Sequence, residues 1–101
     1  MYIIIWEFQV ETEQLIDFET AYASNGTWEE LFKKSPAYLG TELLRDENDP
    51  NRYLAIDRWV SKGDYEAFRS QWKDEYEALD RECEGMTERE SLLGIWEPIR
   101  S

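Results

Sequence analysis

Three observations predict an α+β fold in which one four-stranded antiparallel sheet carries its helices on a single face. Stretches of strand character and of helix character follow one another in the order β-α-β-β-α-β. The helical stretches repeat apolar residues every three or four positions, while the strands alternate or are apolar on both sides. No internal repeat, low-complexity tract or linker interrupts the order, so residues 1–101 read as one domain. Together these give the ferredoxin-like split βαβ arrangement.

The first strand is expected over Tyr2 to Val10 (YIIIWEFQV), rich in β-branched and aromatic residues. Ile4, Trp6, Phe8 and Val10 share one side while Ile3 and Ile5 occupy the other. Apolar on both faces, it belongs in the middle of the sheet. Thr12 is placed to cap the next segment, where Leu15, Phe18 and Tyr22 have the spacing of one buried helical stripe. Ser24-Asn25-Gly26 interrupts it, Thr27 with Glu30 fits a capping box, and Trp28, Leu31 and Phe32 resume the stripe until Pro36. A helix in two parts, with a bend, follows.

Tyr38 to Arg45 and Arg52 to Val60 read as a hairpin joined by the polar loop Asp46 to Asn51. Ser61 is a candidate N-cap, with Asp64 in the first turn of a long helix bearing Tyr65, Phe68, Trp72, Tyr76, Leu79 and Cys83 at gaps of three and four. Lys73, Glu77 and Arg81 mark its solvated side. Gly85 ends it, a short turn opened by Thr87 and Glu90 follows, and Leu92 to Glu97 form the last strand before Pro98.

Composition narrows the function classes. With 11 basic against 23 acidic residues, a formal charge of -12 repels phosphate backbones and anionic lipid heads, so nucleic acid and membrane are poor partners. The lone Cys83 closes no intrachain disulfide, and the N-terminus lacks a basic flank and a long apolar run, which fits a soluble cytoplasmic protein. Histidine is absent, which removes Ser-His-Asp and Cys-His nucleophile systems and histidine-ligated zinc, iron or haem. Proton chemistry falls to carboxylates, tyrosines, lysines and one thiol. Five Trp, six Tyr and four Phe supply either an aromatic core or the walls of a pocket for a flat ligand.

In a split βαβ sheet the face without helices stays bare unless something covers it. Here Leu54, Ile56, Arg58 and Val60 share one side of the hairpin's second strand and Tyr53, Ala55, Asp57 and Trp59 the other, and neither set looks solvated. So large an apolar patch argues for a homodimer joined sheet to sheet.

The chain length, the element order and the segments NGTWEELFKKSPAYLGTELLRD and RYLAIDRWVSKGDYEAF resemble the antibiotic biosynthesis monooxygenase family of dimeric α/β barrels. The resemblance runs from Ile3 to about Glu97 and rests chiefly on Gly40-Thr41 and on Trp59-Val60-Ser61. Known members include cofactor-independent monooxygenases of polycyclic aromatic polyketides, haem-degrading enzymes and proteins without known activity. The resemblance implies that Trp59 lines a pocket between sheet and helices. It does not extend to haem: the family's helical histidine falls near Arg69 and its first-strand asparagine at Trp6 or Glu7, so no cofactor is expected.

On this basis the expected activity is a cofactor-independent oxygenation of a small aromatic or polyketide-type substrate. Such a substrate, once deprotonated, itself gives an electron to dioxygen, and the protein supplies a base and a dry slot. Asp57 is the candidate base if burial raises its pKa. Trp6, Trp28 and Trp59 are candidates to stack on the substrate, and Tyr22, Tyr38 and Tyr76 to hydrogen-bond its oxygens. The alternative for Asp57 is an ion pair with Arg45, Arg52 or Arg69. For Trp28 and Trp72 it is core packing. Glu7 and Glu42 are candidates only if they face inward, and Cys83 reads as a small buried hydrophobe. At the level of the whole chain the alternative is a non-catalytic homodimer that binds a small ligand or serves as an interaction module, with an oxygen-independent isomerase or decarboxylase as a third reading.

Overall fold

A computed structural model describes residues 1–99. Strand β1 spans Tyr2–Val10, β2 Tyr38–Arg45, β3 Arg52–Trp59 and β4 Thr87–Trp96. They form one antiparallel sheet in the order β2-β3-β1-β4, with the doubly apolar β1 inside it as its sequence requires. The helices are α1 (Leu15–Tyr22), α2 (Thr27–Phe32), α3 (Lys62–Gln71) and α4 (Lys73–Cys83), with 3-10 turns at Thr12–Gln14 and Glu84–Met86. No described helix is long and apolar enough to cross a membrane.

Register carries the alternation across the sheet. Ile4 stands opposite Asp57, Trp6 opposite Ala55 and Phe8 opposite Tyr53, while Thr41 and Leu43 flank Asp57 and Ala55 from β2. This is the helix-facing side. On β3 the burial alternates without a break, with Tyr53, Ala55, Asp57 and Trp59 buried and Leu54, Ile56 and Arg58 only half covered. The core is aromatic: Phe18 stacks on Tyr22, and Trp59 meets Phe32 and Tyr65 edge to face.

The bare face bears Ile3, Ile5, Leu54 and Ile56, half buried, together with the more exposed Leu44 and Trp96. Two of its arginines are paired. Arg58 reaches Glu42 at 2.7 Å, and Arg52 holds both Glu7 at 2.6 Å and Asp46 at 2.9 Å. Glu7 and Glu42 therefore face away from the helices.

Four expectations about element ends change. Thr12 caps no helix; its hydroxyl accepts from Asn51 Nδ2 at 3.0 Å, tying the chain to the hairpin loop. The N-cap of α2 is Gly26 rather than Thr27, and the carboxylate that reaches back is Glu29, not Glu30, accepting from the Asn25 backbone N–H at 3.2 Å. Carbonyl oxygens of Thr20, Ala21 and Ala23 lie where a Cβ at Gly26 would project, so only glycine fits this bend. The long helix breaks at Trp72, although the bonds from Trp72 N–H to Phe68 and from Tyr76 N–H to Trp72 cross the break. Gaps of three and four persist through it, so the apolar period does not register it. Finally, Thr87 and Glu90 open no turn, because β4 begins at Thr87. Ser61 does cap α3, its hydroxyl accepting from Asp64 N–H at 3.1 Å.

Candidate functional site

A cleft opens between the sheet and the helices. β1 contributes Trp6 and Phe8, β3 contributes Ala55 and Asp57, and β2 contributes Thr41. From the helices come Tyr22, Trp28, Glu29, Phe32, Tyr76 and Asp80, while Glu90 enters from β4. About 460 Å³ of free space, counted out into the open mouth, lies between these walls, and little of it is wide enough to admit a water-sized sphere. Aromatic rings make up half of the lining and carboxylates a third of it.

Asp57 is 7% exposed and accepts a hydrogen bond from Thr41 Oγ1 at 2.7 Å. No cation pairs with it among the described residues. The arginines proposed as partners are engaged elsewhere: Arg45 with Glu19, Arg52 with Glu7 and Asp46, and Arg69 over the Tyr76 ring at 3.8 Å with a bond to Tyr65. Burial therefore pushes the Asp57 carboxyl up to about 6; the Thr41 hydroxyl restrains the rise and the Glu29 charge adds to it. A carboxylate in that position exchanges a proton near neutrality.

Glu29 is the second buried carboxylate, also 7% exposed. Burial alone disfavours its charge, but the Asn25 N–H, the Tyr38 hydroxyl and Lys33 outweigh that, so its pKa falls below the usual range. Lys33 Nζ lies 3.3 Å from Oε1, and Tyr38 OH lies 3.1 Å from Oε2. At the other end of the slot Glu90 is raised by burial and by Asp80. Four carboxylates line the cleft and no lysine or arginine does, which disfavours an anionic ligand. Among the described residues no three acidic or thiol groups converge as metal ligands.

The cleft brings together Trp6, Trp28, Tyr22, Tyr76 and Asp57, five of the seven candidates. Trp59 lies outside its wall. It is 0% exposed and enclosed by Phe32, Tyr38, Tyr65 and Phe68, so the space that the resemblance assigns to a ligand beside it is filled by side chains. Tyr38 also stands behind the wall and touches the cleft through its bonds to Thr41 and Glu29. Burial raises the phenols of Tyr22 and Tyr76, which keeps both protonated as donors. Trp28 Nε1 is buried without a hydrogen-bond acceptor, as is Trp59 Nε1. Trp72 is half buried under Lys34 and plays no part in the cleft. Cys83 is buried in the core, its thiol raised by burial. Sequence reasoning missed Glu29, Thr41, Asp80 and Glu90. Three of these are carboxylates in helices or edge strands that look like ordinary surface charge, while Gly40 within a strand pattern did mark an irregularity beside Thr41.

A family model described as antibiotic biosynthesis monooxygenase matches residues 1–79. Among solved structures, a point variant of SnoaB, a cofactor-independent oxygenase from Streptomyces nogalater, superposes with a TM-score of 0.82 at 17% identity, covering 99% of this chain and 94% of that one. A Nitrosomonas europaea protein placed among the antibiotic biosynthesis monooxygenases gives 0.76 at 18% identity, over 99% and 100% of the two chains. A Pseudomonas aeruginosa protein gives 0.66 at 14% identity, over 99% and 93%. At such identities the likeness is one of fold. No functionally curated protein matches the chain.

Proposed function

We propose that this chain, which belongs to the antibiotic biosynthesis monooxygenase family, is a cofactor-independent oxygenase of a small, neutral, hydroxylated aromatic compound, with Asp57 as the base. The observation that carries the reading is a nearly buried carboxylate at the floor of an aromatic slot, raised to about 6 and without a cation to neutralise it. A phenol or anthrol lying flat between Trp6 and Trp28 presents its O–H to Asp57. Asp57 takes that proton, and the electron-rich anion left behind gives one electron to dioxygen. The radical pair joins at a ring carbon as a peroxide anion, which takes back one proton; loss of that carbon's own hydrogen with cleavage of the O–O bond then leaves one oxygen atom in the product as a carbonyl and releases the other as water. The acidic rim favours a substrate that arrives neutral over one that arrives as an anion.

Tyr22 and Tyr76 donate to the substrate's other oxygens, and an acceptor on the ligand relieves the unpaired Trp28 Nε1. Trp59 acts indirectly, by packing the floor beneath Asp57. The tight cleft suits one or two rings better than an extended polycycle. We further propose that residues 1–101 act as one domain and that two copies close over the bare sheet face as a homodimer in the cytoplasm, since Ile3, Ile5, Leu54, Ile56 and Trp96 otherwise meet water together. The same narrowness favours, as the competing reading, a dimer that binds a small aromatic ligand without turning it over.

Oxygen uptake with anthrone and 1-naphthol separates the two. Uptake by the wild type and its loss in Asp57→Asn support the enzyme; ligand binding with no uptake supports the binder; retained uptake in the variant removes Asp57 from the mechanism.

A further inference from the structure

Asp57 and Glu29 are joined by two hydroxyls. Thr41 Oγ1 lies 2.7 Å from Asp57 Oδ1, Tyr38 OH lies 2.5 Å from Thr41 Oγ1, and Tyr38 OH lies 3.1 Å from Glu29 Oε2. Three oxygen–oxygen contacts of hydrogen-bond length need three protons. With both carboxylates ionised the hydroxyls supply two, so one contact goes unbridged. A single proton added at either end completes the chain.

The geometry is produced by the backbone. Tyr38 and Thr41 are three residues apart and would point to opposite faces of a regular strand. A bulge between Tyr38 and Gly40, where Gly40 takes a φ of 130°, adds the extra residue Leu39 and returns both side chains to the helix-facing side. The far end of the chain reaches the surface. Glu29 Oε1 meets Lys33 Nζ and the Asn25 N–H, and Lys33 is half exposed.

We propose that Thr41, Tyr38 and Glu29 form a proton conduit, by which the proton that Asp57 takes from the substrate leaves the filled cleft for the Lys33–Asn25 surface. The conduit rests on the reading of Asp57 as the base. A flat ligand in the slot displaces the water through which Asp57 would otherwise deprotonate, so the proton needs a path behind the wall. Protonated Asp57 donates to Thr41 Oγ1, the Thr41 proton moves to Tyr38, and the Tyr38 proton moves to Glu29 Oε2. Asp57 is then again a carboxylate, both hydroxyls are restored, and Glu29 carries one proton that it loses to solvent; the peroxide anion later draws one proton back along the same hydroxyls, so a turnover releases none. The other titratable groups of the cleft around Asp57 are Tyr22 from α1, Tyr76 and Asp80 from α4 and Glu90 from β4, none of which is a hydrogen-bond partner of Thr41 or Tyr38 among the described residues.

Two measurements test this, one without substrate. Carbon-13 titration of the Asp57 carboxyl is compared in the wild type, Thr41→Val and Tyr38→Phe. Thr41→Val, which removes the direct donor, raises the midpoint by about one pH unit. Tyr38→Phe touches no atom of Asp57, so a displaced midpoint reads the connection through Thr41; an unmoved midpoint in Tyr38→Phe overturns the chain. In turnover with 1-naphthol, Tyr38→Phe and Thr41→Val lower kcat about tenfold or more with KM unchanged, millimolar imidazole restores much of the rate, and Thr41→Ser stays near wild type. Wild-type kcat in Tyr38→Phe, or a loss that imidazole leaves untouched, overturns the conduit while leaving Asp57 as the base. If Asp57→Asn keeps full oxygen uptake, or the wild type takes up no oxygen, the base reading falls and the conduit role with it, whatever the titration shows.

Discussion

Asp57 and Arg58 are covalent neighbours on β3, yet they meet opposite electrostatic fates. Arg58 points to the bare face, where Glu42 neutralises it at 2.7 Å in a half-exposed setting. Asp57 points into the aromatic side, where hydroxyl groups take the place of a cation. The same contrast extends along the sheet: Glu7, Asp46 and Glu42 on the bare face each have an arginine. The cleft has four carboxylates and no basic lining residue. Ion pairing thus stabilises the face read as an interface, whereas the cleft leaves its buried carboxylate poised to exchange a proton. A structural charge is normally matched; an unmatched one nine-tenths buried points to chemistry.

The largest expected effect is chemical. Asp57→Asn keeps shape and the Thr41 contact but removes the base, so oxygen uptake falls by about 10²–10⁴-fold, measured with an oxygen electrode. A modest loss would place Asp57 on the same footing as the paired charges of the other face. Next in size is the bare face itself. Ile56→Asp sets an unpaired charge among Ile5, Leu54 and Leu44, and sedimentation should find single chains at concentrations where the wild type forms dimers.

A third effect follows from linkage. The Asp57 carboxyl titrates near 6 in the folded chain against an unfolded value of 3.8, so the fold binds this proton more tightly than the unfolded chain does. The stabilisation is fully present below the unfolded value and is lost as pH rises through about 6, a change on the order of 3 kcal/mol. Denaturant melts of wild type and Asp57→Asn should therefore diverge between pH 4 and 7, with the variant the more stable at the alkaline end. Parallel curves would mean that burial does not govern this group. The smallest effect belongs to Arg58–Glu42. A double-mutant cycle in the single-chain Ile56→Asp background should give a coupling of at most about 1 kcal/mol, rising in the wild type if the proposed dimer strips water from the pair.

Much of this organisation was legible in the sequence. The strands could be placed because apolar alternation and β-branched residues set both their length and their facing, and Asp57 was assigned its side from its spacing to Trp59 alone. Helix ends were harder, since Glu29 completes the N-terminus of α2 across a glycine cap where Thr27 and Glu30 offered the more familiar spacing. The site was only half visible for a related reason. That Trp59 and Asp57 share a face follows from strand period, but whether space lies beside them depends on Phe32 and Phe68, which arrive from distant helices. The Thr41–Tyr38 link escaped because it depends on one extra residue in β2, a shift that propensity does not encode apart from the glycine that permits it.

The most direct measurement is the titration of the Asp57 side-chain carboxyl carbon in the unmodified protein. An inner face that leaves its carboxylate unmatched predicts a midpoint near pH 6. A midpoint at or below the ordinary aspartate value would show that a cation or stronger donors satisfy Asp57 after all, and would contradict the division between the two faces on which its role as a base depends.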